Sequence, residues 1–152
     1  MGDKMKILKT LMVLIWMSVI FTFSNQPSKE SSNLSDSLIL KTVRIIEKFN
    51  HKQYSDEEIL KKFVKPVRKM AHFTIYLVLG ILVFLMLKEY NIKDTIIVSL
   101  LICIIYALTD EIHQLFIVGR SGNLIDCLID TLGSIIGILV LNIKRRYKNE
   151  KN

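Results

Sequence analysis

Apolar residues in this chain come in long unbroken blocks, not at the spacing of a half-buried helix or an alternating strand. Four blocks stand out, at about residues 5–23, 70–87, 95–116 and 125–143. Each is long enough to cross a hydrocarbon core of about 30 Å as a helix. The pattern predicts an all-α fold: an integral membrane four-helix bundle, one domain over residues 1–152. Residues 24–69 form a long polar, partly helical loop between the first and second helices.

The first block is basic and then apolar, as in a signal peptide, but Ser24-Asn25-Gln26-Pro27 follows in place of a small-residue cleavage site. It reads as an uncleaved anchor. In the loop, Leu38, Val43, Ile45, Ile46 and Phe49 predict a short amphipathic helix. A second is predicted over Asp56–Phe63, with Ser55 as N-cap and Glu58 closing a capping box. Pro66 is placed at the opening of the second span, where a first helical turn tolerates it. Gly119 and Gly122 predict a tight reversal, and Gly133 with Gly137 a small-residue face for close helix contact. The tail KRRYKNEKN reads as frayed.

Composition agrees with a membrane setting. Hydrophobic residues make up 51% of the 152, and the mean hydropathy is +0.37. The formal net charge of +7 comes from residues that mostly flank the apolar blocks. They suit anionic headgroups and topology, and no basic face with interleaved aromatics suggests nucleic acid. The lipid bilayer is therefore the expected partner. The basic residues on the two sides nearly balance, but those in short segments near span ends weigh most. That weighting places both termini in the cytoplasm. Cys103 and Cys127 lie inside apolar blocks, without a Cys-x-x-Cys neighbour, and read as small buried hydrophobes.

Four spans bring the unusual polar residues to one membrane face. Arg68, Lys69 and His72 open the second span; Arg68 and His72 share a helix face at i, i+4. Asp110, His113 and Gln114 share a face late in the third, with Glu111 to one side. Arg120 and Ser121 lie in the reversal, and Asp126 and Asp130 open the fourth span. Asp110 is about six residues inside its block and near the negative end of its helix dipole. It needs a compensating partner, and Arg68 and Arg120 are the candidate cations. For acid–base chemistry the candidates are Asp110, Glu111, His113 and His72. For binding an anionic substrate they are Arg68, Lys69, Gln114, Arg120, Ser121, Asp126 and Asp130. A divalent metal held by His72, His113 and the carboxylates is a weaker reading, because the spacing is not His-Glu-x-x-His. No metal and no cofactor is assigned.

Several runs resemble the VanZ-like membrane protein family. They are Phe23-Ser24-Asn25-Gln26-Pro27; Arg68-Lys69-Met70-Ala71-His72-Phe73 with Tyr76 and Gly80; Leu108 to Phe116; Gly119-Arg120-Ser121-Gly122; and Asp126, Asp130, Gly133 and Gly137. Ile117-Val118 replaces the Val-Pro that many members carry before the Gly-Arg. The resemblance implies a multi-pass protein of the bacterial cytoplasmic membrane. For the member that names the family it implies raised teicoplanin resistance without remodelling of the peptidoglycan stem. Three functions follow as expectations. The first is an envelope protein lowering glycopeptide action through an outer-face pocket. The second is a membrane-embedded enzyme acting on a lipid or lipid-linked glycan by acid–base chemistry. The third is a non-catalytic interaction protein recruiting partners through residues 28–65. A lipid-linked cell-wall precursor or an anionic lipid is the expected ligand.

Overall fold

The computed structural model describes residues 2–27, 33, 36–45, 55–120 and 122–151, with backbone alone at 146 and 148–150. Ser121, His51 and the predicted amphipathic positions Ile46 and Phe49 lie outside the described residues. Among the described residues five helices follow in order: α1 (Gly2–Ser24), α2 over residues 36–45, α3 (Asp56–Glu89), α4 (Thr95–Gln114) and α5 (Leu124–Glu150). All four of α1, α3, α4 and α5 are long and apolar enough to span a membrane. Among the described residues there is no strand.

Two boundaries differ from the sequence reading. Helix α3 runs unbroken from Asp56, so Pro66 lies in its interior and not at its start. The Ser55–Glu58 capping box is present, but it opens the same helix that enters the bundle. A proline removes one backbone donor and frees the carbonyl four residues earlier. Here that residue is Lys62, which is exposed, so water can answer it. At the other end, α5 continues helically through the basic tail to Glu150 instead of fraying.

In α2 the buried position is Ile39, while Leu38 and Ile45 are exposed, so the inward face is shifted from the predicted one. Arg44 pairs with Asp56 and ties α2 to the head of α3.

The bundle core is built on Val13 and Ile20 of α1, Tyr76, Leu79 and Val83 of α3, and Cys103 and Ala107 of α4. Cys103 and Cys127 are both buried free thiols. Rows such as Ile97, Leu101 and Ile105 on α4, and Leu128, Leu132 and Val140 on α5, face outward. In water such rows would be a large apolar patch; in a bilayer they meet acyl chains. Interhelical hydrogen bonds then carry weight. Trp16 Nε1 donates to the Ile75 carbonyl at 2.9 Å, and the Tyr106 hydroxyl to the Met17 carbonyl at 2.6 Å. Lys9 and Glu89 pair at one end of the bundle, beside a 3.1 Å contact between Thr10 Oγ1 and the Tyr90 hydroxyl.

The tightest packing joins α3 to α5. A Cβ on Gly133 would stand 2.3 Å from the Phe73 carbonyl oxygen, and one on Gly137 2.3 Å from that of Leu77. Backbone meets backbone here, as the small-residue face predicted. This contact sets the distance between His72 and Asp130.

Candidate functional site

The polar residues collect at the end of the bundle where α1 and α4 finish and α5 begins, with α3 passing through. They form two groups.

The first is centred on Asp110, which is 4% exposed. Its Oδ2 accepts from Ser24 Oγ at 2.7 Å and from Gln114 Nε2 at 3.2 Å, and Gln114 Nε2 also reaches Ser24 Oγ at 3.1 Å. The expected Arg–carboxylate pair is absent among the described residues. Arg120 is committed elsewhere: its Nε donates to the Gln26 carbonyl and its Nη2 to the Phe23 carbonyl, both at 3.0 Å. The guanidinium therefore answers carbonyls at and beyond the C-terminal end of α1, a natural seat for a cation. Partial burial, with Arg68 nearby, lowers the Arg120 pKa below its ordinary value. Arg120→Lys keeps the charge but loses the planar fork. Hydrogen exchange of peptides covering residues 20–27 is expected to quicken, with a stability loss of about 1 kcal/mol. Unchanged exchange there would mean the two carbonyl bonds do not hold the loop.

The second group joins three helices. Asp130 of α5 is fully buried, and its Oδ1 lies 3.3 Å from His72 Nδ1 of α3. Glu111 of α4 is 6% exposed and aims toward the same point. One donor atom from each of His72, Glu111 and Asp130 falls within 4.8 Å of the others. Glu111 Oε2 is held by the Asn123 backbone N–H at 2.7 Å. Its Oε1, both Asp130 oxygens and His72 Nδ1 take no well-aligned hydrogen bond from any described residue. The Tyr76 hydroxyl, buried nearby, is likewise without a partner. The loop can come this close because Gly122 has no Cβ; one there would sit 2.5 Å from the Glu111 carbonyl oxygen.

The predicted residues thus divide. His72, Glu111 and Asp130 converge, while Asp110 and Gln114 form a satisfied tie to α1. His113 turns to stack on Phe21 at 4.7 Å, with its Nε2 unpartnered. Asp126 lies in the first turn of α5, near enough to act electrostatically on His72 and Glu111. The N-cap of α5 is Asn123, whose side chain accepts from the Ile125 N–H. Arg68 is partly buried one turn before His72 and Lys69 is exposed; neither makes an ion pair among the described residues. Ser24 entered the sequence reading only as part of the run after the first span, and Asn123 was not singled out. A serine at a span end and an asparagine in a turn are too common to signal a role.

A multi-pass α-helical membrane protein with a buried His–carboxylate cluster at one end is the class these features define. The chain belongs to the VanZ/LLP1 family, whose model matches residues 9–145. No curated protein and no solved structure matches it.

Proposed function

We propose that this protein is a bacterial cell-envelope protein that handles the anionic headgroup of a lipid or lipid-linked cell-wall precursor. In this reading both termini are cytoplasmic, and the His72–Glu111–Asp130 site lies at the outer interface of the cytoplasmic membrane. The observation that carries it is the convergence of these three side chains, with unpartnered oxygens, in a buried place. An unpaired polar atom inside a membrane protein is costly, and its persistence argues for a ligand or a reaction. Arg68 and Lys69, on the α3 turn before His72, supply positive charge for a phosphate or carboxylate. Lowered glycopeptide action would be one consequence of altering or occupying such a precursor.

The test is teicoplanin and vancomycin susceptibility of a sensitive bacterium expressing this chain, beside Asp130→Asn and Arg68→Gln variants matched for membrane abundance. Wild type is expected to raise the teicoplanin concentration needed for killing, and both variants to lose that protection. Equal protection by all three would remove the site from the function. No protection by wild type would remove the glycopeptide part, leaving headgroup turnover by the purified protein to decide the rest.

A further inference from the structure

We infer that His72, Glu111 and Asp130 hold a divalent first-row metal ion of the zinc class, with one coordination position open to an anionic oxygen. Three independent features point there.

The first is donor geometry. The three ligating atoms come from three different helices and lie within 4.8 Å of one another. A tetrahedral ion with bonds of about 2.1 Å has edges of roughly 3.4 Å. The 3.3 Å between His72 Nδ1 and Asp130 Oδ1 is already such an edge. The Glu111 carboxylate lies within the same 4.8 Å and supplies the third corner of the face.

The second is the lone-pair count. Asp130 is fully buried with neither oxygen accepting a well-aligned bond, and Glu111 keeps Oε1 free. A bare His–Asp pair answers one Asp130 oxygen and leaves Glu111 Oε1 without a hydrogen bond from any described residue. No arginine, lysine or amide from the described residues answers them. When both carboxylates ionise, two of them around one imidazole concentrate negative charge in a low-dielectric site, which a dication offsets.

The third is the support around the donors. Glu111 Oε2 is fixed by the Asn123 N–H, which restrains the carboxylate's orientation, as outer hydrogen bonds do for metal-ligating carboxylates elsewhere. Imidazole with two carboxylates suits a borderline ion better than magnesium or calcium, which prefer an all-oxygen shell. Three protein ligands leave a fourth position, the arrangement of reactive rather than structural zinc sites. The identity of what fills that position rests on the headgroup reading proposed above; the metal itself stands on the geometry.

The experiment uses the full chain, purified in detergent with a tag free of histidine, stripped with chelator and loaded with zinc alone. Elemental analysis after gel filtration is expected to find about one zinc per chain. Asp130→Asn and Glu111→Gln are each expected to bind about 100-fold more weakly or worse. A Cys103→Ser/Cys127→Ser chain should keep its zinc, since no thiol is a ligand. Cobalt(II) loading gives a readout that does not depend on variants folding. The wild type should show the visible bands of a tetrahedral nitrogen–oxygen site without thiolate charge transfer, and inorganic phosphate should shift them.

Wild type holding less than a tenth of an equivalent, thiolate charge transfer, or full zinc retention in both carboxylate variants would each overturn the metal centre. Cobalt bands indifferent to phosphate would overturn the open position. A metal-free wild type whose Asp130→Asn variant still loses protection sinks the metal and leaves the headgroup function. A zinc-loaded wild type whose Asp130→Asn variant protects fully does the reverse.

Discussion

Gly133→Leu is expected to abolish accumulation of the protein in the membrane, with a loss of stability above about 3 kcal/mol. The reason is the object the new side chain meets. Even a Cβ at residue 133 would stand 2.3 Å from the Phe73 carbonyl oxygen and 3.2 Å from the Leu77 backbone nitrogen. These are helix backbone atoms and cannot rotate aside. Relief requires α3 and α5 to separate, and the same contact recurs at Gly137 against Leu77 and from the other side at Gly80 against Ser134. The three positions form one seam, so yielding at one strains the others. In a bilayer, apolar side chains gain little by leaving lipid for protein, and close backbone approach supplies much of the association. Gly133→Ala is the more informative variant. It should fold with a smaller loss, about 1–3 kcal/mol, yet push Asp130 away from His72, because Phe73 is adjacent to His72 and Gly133 is one turn from Asp130. Blotted membrane abundance and thermal unfolding in detergent check both. Wild-type abundance of Gly133→Leu would mean that the seam does not carry the packing.

The spans were legible because a membrane imposes a length and an apolar requirement that few other settings do. Convergence of the polar residues at one end was legible for a related reason: short turns join the last three spans, and alternating crossings leave little freedom about which ends meet. What escaped the sequence were matters of partner and azimuth. Pro66 looked like a helix start because proline is common there, yet the capping box at Ser55 already marked the true one. Asp110 and Glu111 differ by one residue, hence by about 100° around α4. That places Asp110 toward Ser24 of α1 and Glu111 toward Asn123 and Asp130. A face drawn through Asp110, His113 and Gln114 therefore centred on the residue that is satisfied and left Glu111, though a candidate, to one side. Charge balance suggested a cation for Asp110, but the Ser24 hydroxyl and the Gln114 amide supply its hydrogen bonds; the shared face signalled the amide, and nothing signalled the hydroxyl.

The two aspartates are expected to respond to substitution with opposite signs. Asp110→Ala removes the acceptor shared by Ser24 and Gln114, both buried, and unties the end of α1 from α4. Gln114 Nε2 keeps its contact with Ser24 Oγ, but the buried Ser24 hydroxyl loses its acceptor at about 1–3 kcal/mol, so a clear drop in unfolding temperature should follow. Asp130→Asn removes a carboxylate whose oxygens no described residue answers with an aligned hydrogen bond. His72 can remain as the neutral imidazole, so the variant retains no enforced buried charge at that pair. With the imidazole neutral, no uncompensated charge is left behind, so the large penalty of breaking a buried ion pair does not apply and the change is expected to be neutral or slightly stabilising. In chelator-treated protein Asp130→Asn should thus unfold at or above the wild-type temperature, while on the proposed function it loses the protection against teicoplanin. That combination marks a residue kept for what it binds, at the expense of the fold. Thermal unfolding of both variants in one detergent with chelator, read beside susceptibility, checks the contrast. Strong destabilisation by Asp130→Asn would make the His72–Asp130 contact structural, and the cluster would then hold the helices together in the way Asp110 does.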